Sequence, residues 1–179
     1  MGTKDDGLFR LDRNGGITNY GTAPHQNMLS SSYVRCVVED NLGNYWIGTF
    51  KGLDKLDVTT GTFTHYSKDN KPYSLSNSSI ICMMKDRQGT FWIGTYYGGV
   101  NLFNPDYEIY TYYYPDESQK GKLTSPFAGR MTEDSNGGIW IATEGGGVNY
   151  LDKKRKLLLN TNMMQLKILL HLIRFRVYF

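Results

Sequence analysis

The chain has 179 residues, with 20 Lys/Arg against 17 Asp/Glu for a formal charge of +3, 14 % aromatic residues and 20 glycines. That content excludes a disordered chain and fits short strands joined by tight turns. Seven basic residues and no acid fall in 153–179, leaving 13 basic against 17 acidic residues in 1–152 and excluding the clustered positive surface of a nucleic-acid groove.

The first residues, Met1-Gly2-Thr3-Lys4-Asp5-Asp6, are polar where a targeting segment would be apolar, so the chain as written would stay in the cytoplasm. No run of about 18 uninterrupted apolar residues offers a membrane span. Gly7-Leu8-Phe9-Arg10-Leu11-Asp12 then opens a strand pattern that returns as Gly52-Leu53-Asp54-Lys55-Leu56-Asp57, as Gly99-Val100-Asn101-Leu102-Phe103-Asn104 and as Gly147-Val148-Asn149-Tyr150-Leu151-Asp152. A second motif precedes the last three copies: Tyr45-Trp46-Ile47-Gly48-Thr49, Phe91-Trp92-Ile93-Gly94-Thr95 and Ile139-Trp140-Ile141-Ala142-Thr143, with tryptophans 46 and 48 residues apart. A period of about 40–50 residues filled with short aromatic-rich strands is the mark of β-propeller blades.

Each repeat reads as four strands. The first, Val34–Val38 or Ile80–Met84, is expected innermost, and a turn follows in which Asp40, Asp86 and Asp134 each stand three residues before a glycine. Such an aspartate accepts bonds from the turn's own amides, and one carboxylate per turn is no metal site. The second strand carries the Trp motif. Its period of two puts Trp46 with Gly48, and Trp92 with Gly94, on one face, where a small residue lets the next blade approach; Trp140 is paired in the same way with Ala142. The third strand is the Gly-Leu pattern, and the outer one is Thr62–Tyr66 or Glu108–Tyr112. Cys36 and Cys82 hold the same place in successive repeats and are expected to be free thiols.

The expected organisation is the end of a truncated blade plus linker at 1–32, blades at 33–78 and 79–126, a partial blade at 127–152, and an aberrant tail at 153–179. Gly2-Thr3 stands where Gly48-Thr49 stand, so the first strand and Trp of the leading blade are absent. After Asp152 the period stops at a lysine pair. Re-read one base back, with permitted codons and one missing A in an A-rich start, residues 155–179 become TEIIIKYKYDAIKNTSPFNSFSGIF, which resembles the chain's own outer strand and linker. The tail is therefore expected to be a frameshift product, with intrinsic propensity for a helix over 163–172. A basic amphipathic helix over 166–179 is the rival reading. The fold class is all-β: a partial propeller of about three four-stranded antiparallel blades with a tail outside it. Open strand edges predict self-association or packing against neighbouring blades, and marginal stability.

The repeats resemble the two-component regulator propeller repeat, carried most clearly by Glu39-Asp40-Asn41-Leu42-Gly43-Asn44-Tyr45-Trp46-Ile47-Gly48-Thr49 and Gly52–Asp57, over residues 2–152. The resemblance implies the periplasmic sensor region of hybrid two-component histidine kinases of Bacteroides-like bacteria, in which two propellers precede a β-sandwich, a membrane helix and cytoplasmic kinase and regulator domains. It implies glycan sensing, and a membrane link only through other parts of the parent protein. Alternatives are a carbohydrate-binding or protein-interaction propeller outside signalling and, third, a lyase of the streptogramin-inactivating propeller type, which this repeat resembles more weakly. A lyase would need a convergent base, and His25, His65 and His171 have no copies at corresponding blade positions. No catalytic residue, metal or cofactor is expected. A ligand, expected to be an oligosaccharide, would touch the variable loops at Phe50, Lys51, Tyr96, Tyr97 and Glu144, where rings and charges stand beside glycine-rich turns.

Overall fold

The computed structural model describes residues 1–21, 28–69, 74–104, 109–115, 122–154 and 157–161. Fourteen strands form one two-stranded and three four-stranded antiparallel sheets among these residues. The two-stranded sheet pairs β1 (Leu8–Leu11) with β2 (Ile17–Tyr20). The next holds β3 (Val34–Glu39), β4 (Tyr45–Thr49), β5 (Leu53–Leu56) and β6 (Phe63–Tyr66) in that order. Then come β7 (Ile80–Lys85), β8 (Phe91–Thr95), β9 (Gly99–Asn104) and β10 (Ile109–Tyr113), followed by β11 (Ala128–Glu133), β12 (Ile139–Thr143), β13 (Gly147–Leu151) and β14 (Leu157–Thr161). The sheets are propeller blades that do not close on themselves, and β7 touches both β3 and β11, which makes these first strands the neighbouring inner ones.

Alternation along the Trp strand decides how blades stack. Trp46, with Leu53, packs on Ile80, Phe91, Ile93 and Phe103 of the following blade, while Ile47 turns the other way onto Val34, Leu8 and Leu29. The next interface repeats this with Trp92 and Val100 against Ala128, Ile139, Ile141 and Leu151. Two apolar faces per strand explain why Phe91–Thr95 is buried at every residue instead of alternating. Each inner strand also carries a register shift, at Val34/Cys36, Ile80/Cys82 and Ala128/Met131, a bulge that bends it at one end.

The leading repeat keeps a trace of its Trp strand. Gly2 bridges to Leu8 as Gly48 pairs with Leu53, and Thr3 Oγ1 donates to Gly7 O at 3.0 Å as Thr49 Oγ1 donates to Gly52 O at 2.9 Å. Beside it, a groove of about 550 Å³ runs between β1 and β3, lined by residues including Leu8, Leu11, Val34 and Val37. Leu11 is 70 % exposed there, whereas Leu56, its repeat equivalent, is 2 % exposed.

One expectation needs correction. The third blade does not stop at residue 152, because Leu157–Thr161 pairs with β13 and fills the outer position, so these tail residues lie within the propeller. Ladder bonds come from the backbone and are indifferent to the lost side-chain period. The helices expected over 163–172 and 166–179 lie outside the described residues. Among the described residues no helix is long and apolar enough to cross a membrane. Cys36 and Cys82 are free, and burial pushes each thiol up to about 12.

Candidate functional site

A rigid frame comes first. Asp40 Oδ1 accepts from the Leu42 and Asn44 amides at 2.9 and 2.8 Å, and its Oδ2 accepts from the Trp46 indole at 3.1 Å. Asp86 with Trp92 and Asp134 with Trp140 repeat the arrangement, with indole bonds of 2.9 and 3.2 Å. One carboxylate thus closes the turn and locks the rotamer of the ring that carries the blade interface. The indole bond was not foreseen in the sequence, although the constant offset of six residues between Asp and Trp was visible there.

These bonds also set a pH response. Burial works against the Asp40 carboxylate, but the Trp46 indole, Asn44 and Leu42 donors outweigh it and hold the group below its ordinary range. At Asp134 burial is likewise outweighed by the Gly138 and Asn136 amides, then Trp140 and Tyr150. A carboxyl lowered on folding adds stability that is fully present above about pH 4 and is lost as pH falls through the lower folded value. Urea midpoints measured from pH 6 down to pH 2 should therefore fall below about pH 4, and Asp40→Asn should flatten that fall.

At the opposite end of each blade a second polar lock ties the linker down. Asn101 Oδ1 accepts from Ser76 N at 2.9 Å while its Nδ2 donates to Ser76 Oγ at 2.8 Å, and Asn149 holds Thr124 in the same way at 3.2 and 2.9 Å. In the first complete blade the position is Asp54, fully buried, which accepts from Ser30 N and Ser30 Oγ at 2.8 and 2.9 Å and pairs with His65 Nδ1 at 2.8 Å. The serine and the imidazole bind the same carboxylate instead of each other, so the trio lacks the relay order of a nucleophilic triad.

These locks bring the variable loops to the linker end, beside the starts of the inner strands. Phe50 N, Tyr96 N and Glu144 N donate to Tyr33 O, Ser79 O and Phe127 O at 3.1, 2.9 and 3.0 Å. Phe50 is 51 % exposed and stacks on Tyr33 at 6.3 Å, with the Arg35 guanidinium 4.6 Å from the Tyr33 ring and 5.2 Å from the Phe50 ring. Tyr96 and Tyr97 meet edge to face at 4.7 Å, and both pack on Phe127, at 5.2 and 4.0 Å. Lys51 and Glu144 are exposed at the two ends of this series. The structure thus joins Tyr96 with Tyr97 and sets Phe50 in the adjoining blade. Sequence reasoning missed Tyr33, Arg35 and Phe127, which sit at linker ends or strand starts some 15 to 31 residues from the loop rings they meet; an aromatic residue just before β3 and just before β11 was the available signal.

Among the described residues no group of three or more His, Cys, Asp or Glu is placed to hold a metal. Residues 28–51, 74–97 and 122–145 match the family model described as two component regulator propeller. No curated protein matches the chain. In solved structures it is similar to the extracellular domain of a hybrid two component system, BT3049, from B. thetaiotaomicron, at 25 % identity and a TM-score of 0.67 over 73 % of this chain and 18 % of that one. Two structures of the extracellular domain of BT4673 from the same organism, described as a one component system and as a hybrid two component system, align at 21 and 22 % identity over 88 % of this chain and 22 % of theirs, with TM-scores of 0.71 and 0.68. The chain therefore spans about a fifth of the length of these relatives. Each family match runs from a linker through the inner and Trp strands into a variable loop, one per four-stranded blade, so each of the three blades carries a two-component regulator propeller repeat.

Proposed function

We propose that this chain is part of the extracytoplasmic, ligand-sensing propeller of a two-component sensor kinase, that its ligand is an oligosaccharide, and that it performs no chemistry of its own. The observation that carries this reading is the division of labour within the repeat. Asp, Trp and Thr recur in every blade as frame, while the loops at Phe50-Lys51, Tyr96-Tyr97 and Glu144-Gly145 differ and gather exposed rings at one end. A fixed scaffold with variable loops is an arrangement for recognition. Similarity to extracellular domains of two-component systems supports a periplasmic parent.

The Ser30–Asp54–His65 bonding order argues against hydrolysis or elimination at that trio. The apolar flank around Leu11 and Ile17, 70 and 71 % exposed, is the surface on which a neighbouring blade or a second copy would pack.

The test is a loop exchange in the parent sensor. Replacing Phe50-Lys51 and Tyr96-Tyr97 by Glu-Gly, as at Glu144-Gly145, should abolish or redirect oligosaccharide-induced transcription without lowering the amount of folded protein. An unchanged inducer profile would overturn the assignment of these loops.

A further inference from the structure

Tyr97 has a φ of 63° and is the non-glycine residue with positive φ among the described residues. Its counterpart in the next repeat is Gly145, with a φ of 73°. A Cβ added at Gly145 would meet nothing within 4 Å, so what opposes a side chain at this position is the backbone conformation itself. L-residues are strained in the left-handed region, which glycine enters freely. The chain thus holds a tyrosine where its own repeat shows that glycine serves the fold.

The ring does not recover that strain through burial, because Tyr97 stays 56 % exposed and Tyr96 46 % exposed. The two rings and Phe127 make a compact surface, and a chain of contacts leads from it to the preceding blade. Ser79 O accepts from Tyr96 N at 2.9 Å, and Arg35 Nη1 donates to Ser79 Oγ and Ile80 O at 3.0 and 2.9 Å while lying over Tyr33 and Phe50. Arg35 is thereby engaged by protein acceptors, and Lys51 and Glu144 oppose each other in sign. The strip is mainly aromatic, and its one uncompensated charge, on Arg35, is turned onto Ser79 and Ile80, which suits a neutral ligand with flat apolar faces and hydroxyl edges.

We infer that Tyr97 is held in the left-handed conformation to present its ring, with Tyr96 and Phe127, as the stacking surface for one residue of a neutral oligosaccharide that continues across Arg35 toward Phe50. This rests on the ligand-sensing reading above. Strain kept at an exposed position points to function and not to packing.

The experiment compares the full chain with Tyr97→Gly and Tyr97→Ala, using neutral hexasaccharides of gluco-, manno-, xylo- and arabino-type backbones as probes in calorimetric titration, and thermal melts. At least one probe should bind the wild-type chain, and both variants should bind it at least tenfold more weakly. Tyr97→Gly should melt about 2–4 °C above Tyr97→Ala, the reverse of the usual order, and no more than about 4 °C below wild type. Retained affinity in Tyr97→Gly, or a glycine variant melting below the alanine one, would overturn the inference. A wild-type chain that binds a proline-rich peptide and none of the sugars would overturn the ligand class. If the parent sensor still answered to an oligosaccharide in that case, the sensing reading would stand and this site alone would fall.

Discussion

Trp92→Ala is expected to destabilise the chain by about 3–5 kcal/mol, the range for removing a fully buried large aromatic side chain. Trp92 is 0 % exposed, lies parallel to Tyr113 at 6.0 Å and an interplanar angle of 8°, and fills the interface made with Leu123, Ala128, Ile139, Ile141 and Leu151. Collapse cannot close the resulting cavity, because its walls belong to two sheets whose registers are fixed by their own ladders. The substitution also deprives Asp86, itself 3 % exposed, of the indole donor at 2.9 Å. Trp92→Phe separates the two effects: it keeps most of the volume and should cost about 1.5–3 kcal/mol, the scale of a hydrogen bond to a charged group. Urea denaturation of both variants checks the ranking. Trp140→Ala provides an internal comparison. That ring is 8 % exposed and leans on Tyr150 of its own sheet at 4.5 Å, so its loss should cost less than that of Trp92.

What could be read from the sequence followed from what period can encode. The tryptophan spacing locates the blades, and alternation in Tyr45-Trp46-Ile47-Gly48-Thr49 assigns Trp46 to one neighbour and Ile47 to the other, because both faces must be apolar for both to be covered. The leading half-blade was equally legible, since Gly7–Asp12 repeats the third-strand pattern and Gly2-Thr3 the end of the Trp strand. The outer strand at Leu157–Thr161 was not, because its pairing rests on backbone bonds that leave no mark on composition. The linker locks were also hidden. Ser76 and Asn101 are 25 residues apart, and their bond depends on a hairpin returning the chain to the same end of the blade. For the candidate site the variable loops stood out as Phe50-Lys51, Tyr96-Tyr97 and Glu144-Gly145, whereas Arg35, which spans two rings and the next blade, looks in sequence like an ordinary strand residue.

Gly48→Val should be strongly damaging, costing about 1–3 kcal/mol or more through overpacking. A Cβ at Gly48 would overlap Cys36 Sγ and come within 2.6 Å of Ile80 Cγ2 and 3.2 Å of Ile80 Cβ, and valine adds two methyl groups beyond that. Ile80 cannot yield: it is 0 % exposed, β-branched and therefore stiff about χ1, and it begins the inner strand of the following blade. The same position one blade later is milder, because beyond Cys82 Sγ at 2.6 Å a Cβ at Gly94 would meet Ala128 Cβ at 3.1 Å in place of a branched side chain, and Gly94→Ala should cost less than Gly48→Ala. In the last blade the residue is already Ala142, half-buried. The size tolerated beside Trp46 and Trp92 is thus set jointly by the cross-strand cysteine of the same blade and by what the next inner strand brings against it. A double-mutant cycle tests that cause. Ile80→Ala alone should cost about 2–5 kcal/mol, yet in the Gly48→Val background part of the valine penalty should be recovered, giving a coupling of about 0.5–3 kcal/mol between the two sites. Strict additivity would mean that the penalty arises within its own sheet, against Cys36. Because each blade touches only its neighbours, hydrogen exchange in Gly48→Val should quicken first in β3, β4 and β7, while β12 and β13 keep their protection.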